Sequence, residues 1–570
     1  MLEKKWRLLS ADDNITNQLY QGLKINKALC RLLALRNVHS FDEAKDFFRP
    51  ELNQLHDPFL MKGMDRAIQR IQEAISLQEK VMIYGDYDVD GTTSVAVVYG
   101  FLKNNFPQLP ICYYIPHRYR EGYGVSVAGI EEAADSGCGL IITLDCGIKS
   151  VDKTALAAHK GIDMIICDHH LPGEELPAAY AILNPKQKDC TYPYKELSGC
   201  GIGYKLISAM AHAENLAQET VLQYLDLVAT SIAADIVPID GENRILAYYG
   251  LKRANERPCV SLQKIKEVAG LKKEFTISDL VFLVAPRINA AGRMDDACKA
   301  VSLFIEDNPE KALEKALDLQ QDNTNRKDED RKMTEEALLM LQNVEYQDNR
   351  STVLFQPHWH KGVVGIVASR IQDSYYRPTI ILTESNGMIT GSARSVRAFN
   401  IHDALVKCES LLENFGGHFF AAGMTLKPEN LEAFKEAFEQ TVRDSIAEES
   451  LYPEIQIDAE LLLKDIQPAF FNILQQFEPF GPTNLPPVFI SRSVKNAMGK
   501  SKIVKDSHIS FVVQQQDGPA ITGIGFGLAE KFPIVASGEP FDIVYRIAEN
   551  EWQGVTNLQL QVIDIRMHEK

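Results

Sequence analysis

Val81-Met-Ile-Tyr-Gly-Asp86-Tyr-Asp88-Val-Asp90-Gly91-Thr-Thr-Ser94 decides how the first half of this chain folds. A short apolar run opens directly into three carboxylates and a glycine, and 92–106 then carries helical spacing. Further apolar runs at 111–115, 140–144, 164–167 and 180–183 alternate with helical stretches such as 125–135 and 150–158. That alternation is what a parallel sheet with crossover helices requires, so the reading is a doubly wound α/β domain.

Beyond it, 309–347 is rich in Glu, Lys, Leu, Asp and Gln and has no proline after Pro309. It reads as one long exposed helix, the alternative being two shorter ones. Strands return at 353–355 and 379–382 with helices around 363–374 and 431–444, indicating a second, smaller α/β domain. After a break near 448–453 and a helical stretch near 468–477, short alternating runs at 508–513, 521–526, 541–546 and 558–565 predict a small β-barrel of the oligonucleotide-binding type.

A chain of 570 residues exceeds a single core. With 45% hydrophobic and 24% charged residues and no apolar run of about 18, nothing in it predicts a membrane span. Met1-Leu-Glu-Lys-Lys-Trp6 lacks the features of a secretory signal, so the expected location is the cytoplasm. The ten cysteines are scattered without a Cys-x-x-Cys pair and read as small core residues in a reducing compartment. A net charge of −17 argues against a protein that coats nucleic acid by bulk electrostatics. It leaves room for a nuclease, because an acidic metal site is offset by bound cations.

The chemistry gathers at strand ends. In an extended segment alternate side chains share a face, so Asp86, Asp88 and Asp90 are expected to converge, and three like charges need a cation; a solvated turn is the alternative. Two more apolar runs end in Asp145 and in Asp168-His169-His170. Ligands of open α/β sheets bind outside the carboxyl ends of strands, which sends all of these to one crevice. Asp235 comes after the helical stretch 221–234 and can close the constellation, although such an Asp alone reads as a helix-end residue. Carboxylates with imidazole and no thiolate suit Mn²⁺ or Mg²⁺ better than a structural zinc, although imidazole also accommodates zinc and other transition metals, and two ions are expected. His169 is the expected metal ligand and His170 the contact to the scissile phosphate.

Three downstream motifs set small residues beside anion donors: Pro286-Arg287-Ile-Asn289-Ala-Ala-Gly-Arg293, Gly391-Ser392-Ala-Arg394-Ser395 and Gly416-Gly-His418-Phe-Phe-Ala-Ala-Gly423. They read as glycine-rich turns that let main-chain NH groups and a side chain approach a phosphate. Gly199-Cys-Gly-Ile-Gly-Tyr-Lys205 lacks the dinucleotide fingerprint and reads as the start of a packed helix.

Seven motifs in order, around Asp86–Gly91, Leu144–Gly147, Asp168–His170, Ala234–Pro238, Arg287–Arg293, Gly391–Arg394 and Gly416–His418, make the chain resemble the bacterial RecJ single-strand-specific exonucleases over about residues 50 to 570. The resemblance implies an N-terminal segment (1–50), a DHH catalytic domain (51–307), a connecting helix (308–348), a DHH-associated substrate-binding domain (349–447) and an oligonucleotide-binding barrel (448–570). It implies two-metal, Mn²⁺- or Mg²⁺-dependent hydrolysis of single-stranded DNA from the 5′ end, releasing 5′-mononucleotides, in recombination and repair. Carried over by motif, Asp86, Asp88, Asp90, Asp145, His169 and Asp235 fall on metal positions, with Asp90, Asp145, His169 and His170 as the catalytic set. Arg293, Ser392, Arg394 and His418, with Arg287 and Asn289, would hold DNA phosphates. A monomer is expected, with a helicase and a single-strand-binding protein as its partners beside single-stranded DNA.

Two rival readings stand beside this one. One is a smaller DHH phosphodiesterase acting on short oligonucleotides, which the C-terminal barrel argues against; the other is a non-catalytic scaffold, against which the intact acids count.

Overall fold

In a computed structural model, residues 3–294, 296–342, 348–552 and 554–569 are described. By internal contacts they form two compact units, residues 1–7 with 321–456 and residues 8–320 with 457–570.

The larger unit begins with helices α1 (Asp13–Leu23), α2 (Lys27–Ala34) and α3 (Phe41–Phe48). The five strands β1 (Lys80–Gly85), β2 (Ile111–Tyr114), β3 (Cys138–Leu144), β4 (Asp163–Cys167) and β5 (Ala181–Leu183) make a sheet in the order β2-β1-β3-β4-β5. Every pairing in it is parallel, and Leu144, Cys167 and Leu183 are register neighbours. The carboxyl ends of these strands therefore lie side by side, as the apolar runs predicted. Buried Val81, Ile83, Ile142, Leu144 and Ile165 pack one face of the sheet into the main core.

Four further helices belong to this unit: α4 (Val89–Asn105), α5 (Gly199–Ala213), α6 (Leu225–Ala234) and α7 (Gly241–Glu256). The stretch 221–234, expected as one helix, is two, because a separate turn at Glu219–Leu222 ends before α6 begins. A larger departure concerns 286–293, expected as a glycine-rich turn. It is helix α8 (Ala285–Met294), with Ile288 and Ala291 buried on one face. Three alanines favour the helix, and Gly292 is needed not for a turn but for closeness, since a Cβ there would stand 3.0 Å from the Tyr87 carbonyl oxygen.

Helix α9 (Pro309–Met340) is a single 32-residue element along which the chain passes from the larger unit into the smaller. The last part of the expected connecting helix, 343–347, lies outside the described residues. The smaller unit holds β6 (Thr352–Phe355), α10 (Val364–Tyr375), β7 (Thr379–Ser385), β8 (Met388–Arg394), β9 (Asn414–Gly417) and β10 (Ala421–Leu426). Its sheet runs β9-β10-β8-β7-β6 around a core that includes Phe434 and Phe438.

The C-terminal strands β11 (Ala459–Glu460), β12 (Phe489–Asn496), β13 (Lys502–Val504), β14 (His508–Gln515), β15 (Ile521–Gly525), β16 (Phe541–Trp552) and β17 (Val555–Met567) run in the order β11-β12-β16-β17-β15-β14-β13. Pairing of β12 with β14 closes the barrel. The N-terminal segment is not a separate appendage. Leu29, Cys30, Leu32 and Leu33 of α2 are fully buried in the same cluster as Phe489, Phe511, Phe541 and Tyr545 of the barrel. The two ends of the chain thus share one core, a relation that no local pattern could announce.

Candidate metal centre and phosphate cradle

The acidic run departs from the extended form expected for it. Strand β1 stops at Gly85, and Asp88 caps α4, accepting a hydrogen bond from the Gly91 NH at 3.0 Å. The helix thus starts at Val89 rather than near Thr92. Gly91 is required by the fold of this turn, because a Cβ would fall 2.4 Å from the Asp86 carbonyl oxygen. Asp86 and Asp90 are brought inward by a strand-to-helix turn, not by strand alternation.

Each acid is held separately. Asp86 accepts from the Gly124 NH at 3.2 Å, while its Oδ2 is buried without a hydrogen-bond partner. Asp90 accepts from the Gly199 and Cys200 NH groups at the start of α5, at 2.7 and 2.8 Å, and from the Ser231 hydroxyl at 2.7 Å. Asp145 comes directly after β3 in the left-handed region at φ 60°, and its Oδ1 is buried without a hydrogen bond. Asp235 caps the end of α6 and is half-buried.

His169 Nε2 joins them, 3.2 Å from Asp145, 3.5 Å from Asp235 and 3.8 Å from Asp90. Both of its ring nitrogens are buried without a hydrogen bond. His170 turns elsewhere: its Nδ1 donates to Asp168 at 2.7 Å, and its ring meets that of His169 edge-on, with centroids 4.5 Å apart. Asp168 is fixed in turn by the Ile148 NH at 2.9 Å. Two sets of donors result, Asp90/His169/Asp235 and Asp145/His169/His170, each within 4.8 Å.

Burial first, then the neighbouring carboxylates, push Asp86, Asp145 and Asp235 well above the usual carboxylate range. Burial also lowers His169. For His170 burial works downward, but the hydrogen bond and charge of Asp168 outweigh it and the net shift is upward. A cluster of acids that repel one another, with orphaned oxygens and an orphaned imidazole, fits hard divalent cations: it offers mostly oxygen donors, imidazole nitrogen from His169 and His170, and no thiolate.

Several groups at this centre escape sequence reading. Tyr123 donates to the Asp145 carbonyl at 2.9 Å and lies 3.3 Å from His170 Nε2. Arg118 sits over the Tyr87 ring, 4.8 Å from its centroid, and its charge bears on Asp86. The motif Gly199–Lys205 is legible as a helix start, but not as the donor pair for Asp90.

The expected phosphate contacts divide between the units. On α8, Arg287 is buried and donates to the Leu283 carbonyl at 2.5 Å, Asn289 is half-buried, and Arg293 accepts the Tyr119 hydroxyl on its carbonyl at 2.5 Å. In the smaller unit, Arg394 Nη1 donates to Ser392 Oγ at 2.8 Å and Nε to Ser369 Oγ at 3.1 Å. Both stand at the start of α10, where a Cβ on Gly365 would lie 2.9 Å from Arg394 Nη2 and 3.2 Å from Ser392 Oγ. A guanidinium, a hydroxyl and a helix N-terminus make an anion cradle. His418 is exposed, and its NH donates to Ala421, the register partner of Arg394.

Known proteins place this arrangement. The model of the DHH family, N-terminal domain matches residues 80–232, that of the DHHA1 domain 348–444, and that of the RecJ OB domain 457–564. The single-stranded-DNA-specific exonuclease RecJ of Bacillus subtilis is 36% identical over 99% of this chain and 71% of its own length. That of Haemophilus influenzae is 35% identical over 94% and 95%. The crystal structure of RecJ in complex with Mn²⁺ from Thermus thermophilus superposes with a TM-score of 0.85 at 25% identity, over 99% of this chain and 80% of that one. The chain belongs to the RecJ family of single-stranded-DNA-specific exonucleases.

Proposed function

We propose that this chain hydrolyses phosphodiester bonds of single-stranded DNA in the 5′ to 3′ direction and releases 5′-mononucleotides, using two divalent ions, Mn²⁺ or Mg²⁺. The observation that carries the reading is the pair of donor sets sharing His169, with the orphaned Asp145 and His169 atoms between them.

Asp86, Asp88, Asp90, Asp145, His169 and Asp235 would hold the ions. Bound there, the ions supply Lewis-acid polarisation of the phosphate and acidify a water molecule. The chain's own groups do the rest. His170, a third exposed and with its pKa pushed upward by Asp168, donates to the scissile phosphate. Tyr123 stands within reach of the His170 ring and steadies its orientation. Gly199, Cys200 and Ser231 hold Asp90 by three hydrogen bonds, so that carboxylate cannot rotate away. Arg394 and Ser392 hold the terminal 5′-phosphate, which fixes the end from which digestion proceeds. Arg293, with Arg287, Asn289 and His418, completes the phosphate contacts.

The proposal includes a monomer working in the cytoplasm in DNA recombination and repair, beside a helicase and a single-strand-binding protein; the family resemblance carries these points. No helix among the described residues is long and apolar enough to cross a membrane.

The test is digestion of single-stranded DNA labelled at either end, with Mn²⁺, Mg²⁺ or chelator. Metal-dependent release of the 5′-terminal nucleotide is expected. Absence of metal-dependent release would overturn the activity, and release beginning at the 3′ end would overturn the direction.

A further inference from the structure

Asp235 lies at the end of α6, and the residue after it is strained. Ile236 adopts φ 59°, a left-handed conformation that is unfavourable for a β-branched residue and persists only when the surroundings impose it. The surroundings are the catalytic core on one side and the barrel's approach loop on the other. From the core, Asn243 Nδ2 donates to the Pro238 carbonyl at 3.0 Å. From the loop, the Pro482 carbonyl accepts the Ile239 NH at 2.8 Å. Gly481 lies so close that a Cβ would stand 2.4 Å from Ile239 Cγ1.

That loop is itself tied down by polar contacts. The buried Arg244 of α7 donates to five main-chain carbonyls, those of Phe47, Gln476, Phe477, Glu478 and Pro479, at 3.0 to 3.4 Å. Its guanidinium carbon sits 3.8 Å from the centroid of the Phe47 ring. Asn484 Nδ2 donates to the Phe477 and Pro479 carbonyls at 2.7 and 2.9 Å, and its Oδ1 accepts from Arg36 at 2.5 Å. A cavity of about 680 Å³, lined by Arg36, Phe47, Ile239, Arg244 and Asn484 among others, runs beside the junction. Phe477 anchors one end of the loop in the barrel core, fully buried and edge-on to the Phe47 and Phe48 rings, and the hydrogen bonds hold the rest of it.

We infer that the 477–485 loop, clamped by Arg244 and Asn484, is a positioning element for the metal centre: it fixes the backbone that carries Asp235. The inference rests on the reading of Asp235 as a metal ligand. It makes the loop leading into the barrel part of the catalytic apparatus without touching substrate. Asn484 makes the loop rigid; Gly481 lets it come close enough to seat Ile239; Ile239 leaves Ile236 one conformation, and Asp235 one position.

The test measures Mn²⁺ binding by calorimetry on the full chain without DNA, alongside the melting temperature in chelator. Asn484→Ala and Gly481→Ala are each expected to raise the Mn²⁺ dissociation constant about 10-fold, the scale on which ligand-orienting groups act. Asn484→Ala leaves Gly481 in place and serves if the Gly481 variant does not fold. A variant with a lowered melting temperature but the parent's Mn²⁺ affinity would overturn the inference, because the loop would then be structural only. Asp235→Asn is the control. Parent-like Mn²⁺ binding by that variant would overturn the ligand reading of Asp235 itself, a failure distinct from that of the clamp.

Discussion

Asp168 and His170 are hydrogen-bonded to each other, Oδ1 to Nδ1 at 2.7 Å, while the histidine between them faces the carboxylates. The outer residues of the tripeptide are thus a charge-assisted pair, and only the middle one joins both donor sets. Asp168→Asn removes the charge that raises the His170 pKa and orients its ring. We expect kcat to fall about 10–100-fold with Mn²⁺ affinity within about 2-fold of the parent. Single-turnover digestion and metal titration check this; lost metal binding would make Asp168 a ligand.

Asp145 offers a sharper separation of activity from stability. Its left-handed backbone is one that Asn tolerates, so Asp145→Asn keeps the shape while removing a buried carboxylate whose Oδ1 makes no hydrogen bond. Turnover is expected to drop by about 10³-fold or more, as loss of several kcal/mol of charge stabilisation requires. In chelator the same variant is expected to melt higher than the parent. A lower melting temperature would show that the carboxylate is satisfied without metal.

The raised acids also link metal to pH. Asp86, Asp145 and Asp235 sit well above their unfolded range, chiefly through burial and then through one another. Without metal, the stability they contribute is present at low pH and is lost as pH rises through their native values. Bound cations offset that loss. The difference in melting temperature between Mn²⁺-loaded and chelated protein should therefore widen as pH rises above the usual carboxylate range. Parallel curves would contradict a raised cluster.

Arg394→Ala removes the guanidinium from the cradle at the start of α10. The lost charge-assisted hydrogen bond is worth about 1.5–3 kcal/mol, so KM for 5′-phosphorylated DNA should rise about 10–100-fold. KM for 5′-hydroxyl DNA should change little, and Mn²⁺ affinity should not change. Equal losses on both substrates would show that Arg394 does not read the terminal phosphate.

Leu33 tests the shared core of the chain's two ends. It is fully buried among barrel residues, so Leu33→Ala should cost about 2–5 kcal/mol in chemical denaturation. A change below about 1 kcal/mol would mean that α2 merely leans on the barrel.

Periodicity makes the sheet legible. Strands at 81–84, 140–144 and 164–167 are apolar at every position but Thr143 because both faces of a parallel sheet are covered, and that pattern needs no partner to be seen. The position of Asp145 and Asp168 at the strand ends comes with it. Helix α8 reads as a turn as long as Gly292 is weighed by its conformational freedom, whereas its use is the close approach of Tyr87.

By itself, then, the sequence determined the elements, their order and the end of the sheet at which the acids gather, since these depend on local period and on the direction of parallel strands. Tertiary structure alone decided which group holds which. Asp90 is held by NH groups 109 and 110 residues away, the barrel core is completed by α2, and Ile239 is tied to Pro482. Hydrogen bonds and close packing between distant segments leave no periodic trace in the chain, because their partners are chosen by the path of the backbone rather than by spacing along it.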